Sequence, residues 1–130
     1  MANELILIIE DNEPNRRLAR DLLQVHGYRT IEAETAEHGI AVAAEQRPDL
    51  VVMDIHLPGL GGIEALAKLR AETATRRVPV LAFTASVMAQ DRSEIMAAGF
   101  DAFVSKPLDL EAFVRTVAAV IAQRRTGSPA

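Results

Sequence analysis

The feature that most constrains this chain is an alternation. Five short apolar runs are each followed by a longer stretch whose apolar residues recur at helical spacing. The strand-like runs are Leu5 to Ile9, Arg29 to Ala33, Leu50 to Met53, Val80 to Phe83 and Ala102 to Ser105. After Pro14, the recurrence of Leu18, Leu22 and Val25 predicts a first helix, and after "GLGG" the recurrence of Ile63, Leu66 and Leu69 predicts a third. Leu110, Phe113, Val114, Val117 and Ile121 form the strongest stripe, with Asp109 placed to cap it. The second helix, Ala36 to Glu45, and the fourth, Met88 to Ala98, have thinner apolar faces and are placed as much by spacing as by pattern.

Few architectures accommodate such an alternation. Parallel neighbouring strands need crossover connections, and the crossover helices then cover both faces of the sheet. The first, third and fourth runs ("LILII", "LVVM", "VLAF") are apolar throughout and belong in the middle. "RTIEA" alternates and "AFVS" is broken by small or polar residues, which suits edges. The expected fold is therefore α/β, a flavodoxin-like (βα)5 doubly wound parallel sheet in the order 2-1-3-4-5, with its switch point between strands one and three. A length of 130 residues fits one domain, expected over 1–125 with 126–130 as a frayed tail.

Composition narrows the function by exclusion. Apolar residues at 49% and charged residues at 25% describe a chain that folds rather than one that stays disordered. A net charge of −4 without a block of like charges offers no electrostatic grip on nucleic acid and no basic face for a membrane. The absence of cysteine excludes disulfides, thiol catalysis and thiolate metal sites. At the N-terminus an acid precedes an apolar run of only five residues, which matches neither a signal peptide nor a membrane span, so a cytoplasmic protein is expected. His26, His38 and His56 lack ligand spacing, and the pairs Arg16-Arg17, Arg76-Arg77 and Arg124-Arg125 read as solvated faces. "PGLGG" lacks the G-x-G-x-x-G pattern of a dinucleotide site.

Ligands of doubly wound sheets bind beyond the carboxyl ends of the strands, at the switch point. There the chain places Glu10 and Asp11 after the first strand, Asp54 after the third, Thr84 after the fourth and Lys106 after the fifth. Three carboxylates at one crevice repel each other unless they take up protons or share a cation. With oxygen ligands alone the favoured ion is a hard one, Mg²⁺ or Mn²⁺, and Mg²⁺ leaves coordination positions for phosphate oxygens. Lys106 then offers a positive point charge and Thr84 a hydroxyl donor to a phosphoryl group, which makes Asp54 a candidate nucleophile toward phosphorus. Each residue alone has a plainer reading. Asp11 or Asn12 could cap the first helix, Asp54 could be a loop acid, Thr84 a strand-end threonine and Lys106 a solvated edge charge. Four such coincidences at one crevice are a poorer account than one site.

The segments "LIIEDNEPNRRLARDLL", "DLVVMDIHLPGLGGIE", "VPVLAFTAS" and "AGFDAFVSKPLD" together resemble the receiver domain of two-component response regulators, from about Leu5 to Ala122. The nearest likeness is to stand-alone receivers of the DivK type. The resemblance implies a switch in which Asp54 takes a phosphoryl group from a phosphohistidine on a histidine kinase or a histidine phosphotransfer protein. It implies Mg²⁺ ligation by Asp11, Asp54 and the backbone carbonyl of His56, with Glu10 acting through water. It further implies phosphoryl contacts from Thr84 and Lys106, and a cis peptide before Pro107. Phe103 matches the aromatic switch position, so a downstream protein partner is expected at the face of the fourth helix, fifth strand and fifth helix. Two positions depart from the commoner pattern. Phe103 lacks a tyrosine hydroxyl, which leaves steric coupling, and Glu10 has a longer reach than aspartate.

Two other functions compete. A Mg²⁺-dependent phosphohydrolase with an aspartate nucleophile would want a D-x-D pair after the first strand and a cap insertion, and neither is present. An adaptor that keeps the fold but ignores phosphorylation is opposed by the intact acids and lysine. Turnover separates the first from a receiver, which holds about one phosphoryl group per chain.

Overall fold

The computed structural model describes the backbone of residues 3–55, 57, 59–84, 89–105 and 110–127, and the side chains of these except 84, 89–92, 105, 110 and 124–127. Strands and helices alternate strictly: β1 (Leu5–Ile9), α1 (Glu13–Val25), β2 (Arg29–Ala33), α2 (Ala36–Gln46), β3 (Leu50–Asp54), α3 (Gly62–Ala71), β4 (Val80–Thr84), α4 (Ala89–Ala98), β5 (Ala102–Ser105) and α5 (Leu110–Gly127). The five strands are parallel in the order β2-β1-β3-β4-β5, as expected, with β2 and β5 at the edges where the apolar pattern puts them. Residues 126 and 127, expected in a frayed tail, continue α5. No proline interrupts the chain between 110 and 127.

Alternation along each strand divides the core in two. Leu7, Ile9, Val51, Met53, Val80 and Ala82 point to one face, where Ala36 and Ala43 of α2, Leu66 and Leu69 of α3 and Ile95 of α4 cover them. Ile6, Ile8, Leu50, Val52, Leu81 and Phe83 point to the other, against Ala19 and Leu23 of α1 and Phe113, Val117 and Ile121 of α5. β1 from Ile6 to Ile9 and all of β3 are closed to solvent on both faces, so their continuous apolar runs are what a central parallel strand requires.

Two helices present different faces from those their stripes suggest. In α1 the buried residues are Ala19 and Leu23, while Leu18 is 42% and Val25 80% exposed. In α3, Leu66 and Leu69 are buried as expected, but Ile63 lies outward and Ala65 and Gly62 lie inward. A small residue buries little area yet lets a helix approach the sheet, so the contact face can run through alanine and glycine. The same logic explains the thin apolar face of α2, whose buried residues are Ala36, Gly39 and Ala43. A Cβ on Gly39 would run into the Ile9 side chain, so α2 sits close enough to β1 that a larger residue there would force Ile9 to move.

Helices α1 and α2 enter from loops with side-chain caps. Asn12 has extended dihedrals and its Oδ1 accepts the Asn15 N–H at 2.9 Å, with Pro14 in the first turn. Thr35 caps α2 in the same way through the His38 N–H at 3.1 Å. At the opposite end of the sheet, Asp101 Oδ2 accepts the Val80 N–H at 2.7 Å and meets Arg70 Nη2 at 3.2 Å, tying the starts of β4 and β5 to α3. Asp109, expected to cap α5, lies outside the described residues.

Candidate functional site

The carboxyl ends of β1 and β3 are neighbours in the sheet, with Ile9 opposite Met53. Asp54 is the last residue of β3 and pairs in register with Phe83 of β4. The strand thus runs one residue further than the apolar run, and the acid is held by the sheet rather than by a loop. Its exposure is 4%. Glu10 follows β1 directly, is fully buried, and donates its N–H to the Ala33 carbonyl at 3.0 Å, so β2 holds the chain where it leaves the ladder. Its Oε2 accepts the Asn12 N–H at 3.0 Å. Asp11 is exposed.

Asn12 supplies the α1 cap, which removes the plainer reading of Asp11 as that cap. The Asp11 carboxylate is instead one of three, with Glu10 and Asp54, that each place one oxygen within 4.8 Å of an oxygen of the other two. Two unit charges at that limit repel by about 3.5 kcal/mol at an effective dielectric near 20. A divalent cation relieves that repulsion, and three carboxylates, with no imidazole beside them among the described residues and no cysteine in the chain, are the donor set of a hard ion such as Mg²⁺. Opposite ligands of Mg²⁺ stand about 4.2 Å apart, close to the spread of these oxygens.

Glycine fixes the far wall of the site. A Cβ on Gly62 would meet Ile55 Cα at 2.7 Å and the Asp54 carbonyl oxygen at 3.1 Å, and the Gly62 N–H donates to the Ile55 carbonyl at 3.0 Å. The start of α3 is therefore pressed against the end of β3, which accounts for a glycine in "GLGG" that no nucleotide pattern explains.

Of the other sequence-derived site residues, Thr84 ends β4 with its backbone in register with Ser105, and its side chain lies outside the described set. His56, Lys106 and Pro107 lie outside the described residues altogether, as do Met88 of the expected partner face and the cis peptide. Phe103 is partly buried and packs against the core on the α2–α4 side. His26 and His38 are exposed, as a surface reading requires, and the His26 ring meets the Leu22 carbonyl at 3.0 Å.

Arg16 corrects the reading of its pair as a solvated face. Its side chain is only 11% exposed, with Nε 3.0 Å from Glu32 Oε1 and Nη1 donating to the Glu10 carbonyl at 2.9 Å. The sequence signal for it is shared with Arg17, which follows it near the helix start. A cation one turn into a helix opposes the positive end of the helix dipole, and such a placement calls for nearby acceptors. Arg17 does behave as a surface residue, paired with Glu13 at 3.1 Å across one turn with both partners about 60% exposed.

Comparison with known proteins agrees with this geometry. Residues 6–118 match the response regulator receiver domain family. The polar-differentiation response regulator DivK of Brucella anthropi is 39% identical over 112 residues, which cover 86% of this chain and 91% of that protein. DivK of Brucella ovis is 38% identical over the same shares. Among solved structures, the receiver domain of the sensor histidine kinase PA1611 from Pseudomonas aeruginosa, which has a magnesium ion coordinated in its active site cleft, superposes with a TM-score of 0.85 at 32% identity. It covers 92% of this chain and 98% of that one. The chemotaxis response regulator CheY4 of Vibrio cholerae shares the fold, with a TM-score of 0.85 at 24% identity, covering 91% and 98%. Among the described residues no helix is long and apolar enough to cross a membrane.

Proposed function

Because this chain belongs to the response regulator receiver family, we propose that it is a phosphorylation switch whose Asp54 accepts a phosphoryl group from a phosphohistidine on a histidine kinase or histidine phosphotransfer protein. The observation that carries this reading is the convergence of Glu10, Asp11 and Asp54 within 4.8 Å at the switch point of the sheet. A carboxylate oxygen of Asp54 forms the new O–P bond while the P–N bond to the donor imidazole breaks and the imidazole nitrogen departs. The sheet register at Asp54 limits how far that oxygen can move from its line of attack.

Asp11 and Asp54 would hold Mg²⁺ directly together with the backbone carbonyl of His56, and Glu10 would hold it through water. Bound there, Mg²⁺ or Mn²⁺ would serve to neutralise charge on the transferring oxygens. Lys106 and Thr84 would take the remaining phosphoryl oxygens. The receiver occupies residues 1–125. It acts in the cytoplasm, without nucleic acid or membrane as partner.

Output runs through Thr84 and Phe103. When Thr84 moves toward the phosphoryl group, space opens for the half-buried Phe103 ring to turn further inward, altering the face of α4, β5 and α5 that a downstream protein reads. The coupling is steric, since Phe103 has no hydroxyl. Incubation with Mg²⁺ and acetyl phosphate, followed by intact mass measurement, tests the assignment. The protein should gain one phosphoryl group and Asp54→Asn none. An equal gain by the Asn variant would reject Asp54 as the acceptor.

A further inference from the structure

We propose that Arg16 is a positioning residue for the metal site. It fixes the peptide between Glu10 and Asp11 so that Asp11 is aimed into the acid cluster. The inference rests on the receiver reading of that site and goes beyond it to a residue that touches neither metal nor phosphoryl group.

The chain must turn sharply between β1 and α1. Glu10 is the last residue tied to the sheet, through its N–H and the Ala33 carbonyl at 3.0 Å, and Asn12 already caps the helix. Asp11 lies between the two, exposed, and the plane of the peptide that joins it to Glu10 sets where its carboxylate goes. The Glu10 carbonyl is half of that peptide, and Arg16 Nη1 holds it at 2.9 Å.

Arg16 is itself fixed at its Nε by Glu32 Oε1 of β2 at 3.0 Å, and its backbone N–H donates to the Asn12 carbonyl at 2.9 Å. One nearly buried guanidinium thus joins edge strand, helix and turn. Only a planar fork presents two donors in fixed relation, so lysine, a point charge with a rotating head, cannot replace both bonds. Glu32 is also approached by Arg20 Nη1, at 3.6 Å, which leaves a second cation for the acid when Arg16 is changed.

Positioning and simple charge predict opposite signs. A cation beside three carboxylates lowers their pull on Mg²⁺, so if charge alone mattered its removal would tighten metal binding. If Arg16 orients the ligand-bearing turn, its removal loosens binding, by about tenfold as is usual for partners just outside the ligands.

The test is calorimetric titration of Mg²⁺ into the unphosphorylated full chain, with urea unfolding in EDTA run in parallel to separate affinity from stability. Arg16→Gln should bind Mg²⁺ about tenfold more weakly and Arg16→Lys roughly threefold more weakly, while Arg20→Gln stays within about twofold of the parent. Phosphorylation by acetyl phosphate should return toward the parent rate at saturating Mg²⁺, which a general loss of structure would not allow. Equal or tighter Mg²⁺ binding by Arg16→Lys and Arg16→Gln overturns the inference while leaving the receiver reading in place. Failure of the parent protein to bind Mg²⁺ overturns both. Arg16→Lys keeps the charge and most of the stem, so it carries the test even if Arg16→Gln fails to fold.

Discussion

Replacing Asp54 by asparagine should make the metal-free protein more stable. Asp54 and Glu10 are 4% and 0% exposed, and one carboxylate oxygen of each lies within 4.8 Å of the other and of an Asp11 oxygen. At that outer limit a pair of unit charges repels by about 0.9 kcal/mol with the screening of water and about 3.5 kcal/mol at an effective dielectric near 20. The substitution removes one charge and nearly preserves shape, while weakening any hydrogen bond made to the carboxylate. A net gain of about 1–3 kcal/mol is expected at neutral pH in EDTA. For a domain of this size that raises Tm by about 4 °C per kcal/mol. Mg²⁺ should reverse the order, since at a hundred times its Kd it adds about 2.7 kcal/mol to the parent and much less to a variant lacking one ligand. Urea denaturation followed by circular dichroism, with EDTA and with Mg²⁺, measures all four stabilities. An Asn variant that is less stable than the parent in EDTA, or that gains as much from Mg²⁺, would refute the claim that the three acids form one repelling cluster.

Two further substitutions probe the frame of the site. Gly62→Ala places a Cβ 2.7 Å from Ile55 Cα and 3.1 Å from the Asp54 carbonyl, against backbone that cannot rotate away. It should cost about 1–3 kcal/mol in denaturant and slow phosphorylation by acetyl phosphate, whereas an unchanged rate would separate the start of α3 from the chemistry. Asp101→Ala removes the acceptor of the Val80 N–H and the partner of Arg70 at the far end of the sheet. A loss of about 1–3 kcal/mol with Mg²⁺ affinity unchanged is expected, and isothermal titration beside urea melts checks both.

The architecture was legible because central parallel strands must be apolar on both sides. "LILII", "LVVM" and "VLAF" carry that signal and the edge strands lack it, so the edges could be read directly and the common doubly wound order, which places strands two and five there, supplied the rest. The acid cluster was legible for a related reason, since a buried strand ending in carboxylate needs an explanation that a loop does not. Helix faces were harder to read. Leu18 and Val25 drew attention in α1, yet the sheet is met by Ala19 and Leu23, and α2 approaches through Gly39, a residue with no side chain to count. Arg16 was missed because a guanidinium beside Arg17 looks like surface until Glu32, sixteen residues away, is brought next to it. Non-local pairing of that kind leaves no periodic trace in a single chain.

The central claim is that one carboxylate oxygen of Asp54 becomes bonded to phosphorus. After treatment with Mg²⁺ and acetyl phosphate, borohydride reduction converts an aspartyl phosphate to homoserine, and peptide sequencing by tandem mass spectrometry locates it. The account predicts homoserine at position 54 alone, and none when EDTA replaces Mg²⁺. Homoserine at another acid, or label that survives on serine, threonine or histidine with position 54 unchanged, would contradict it.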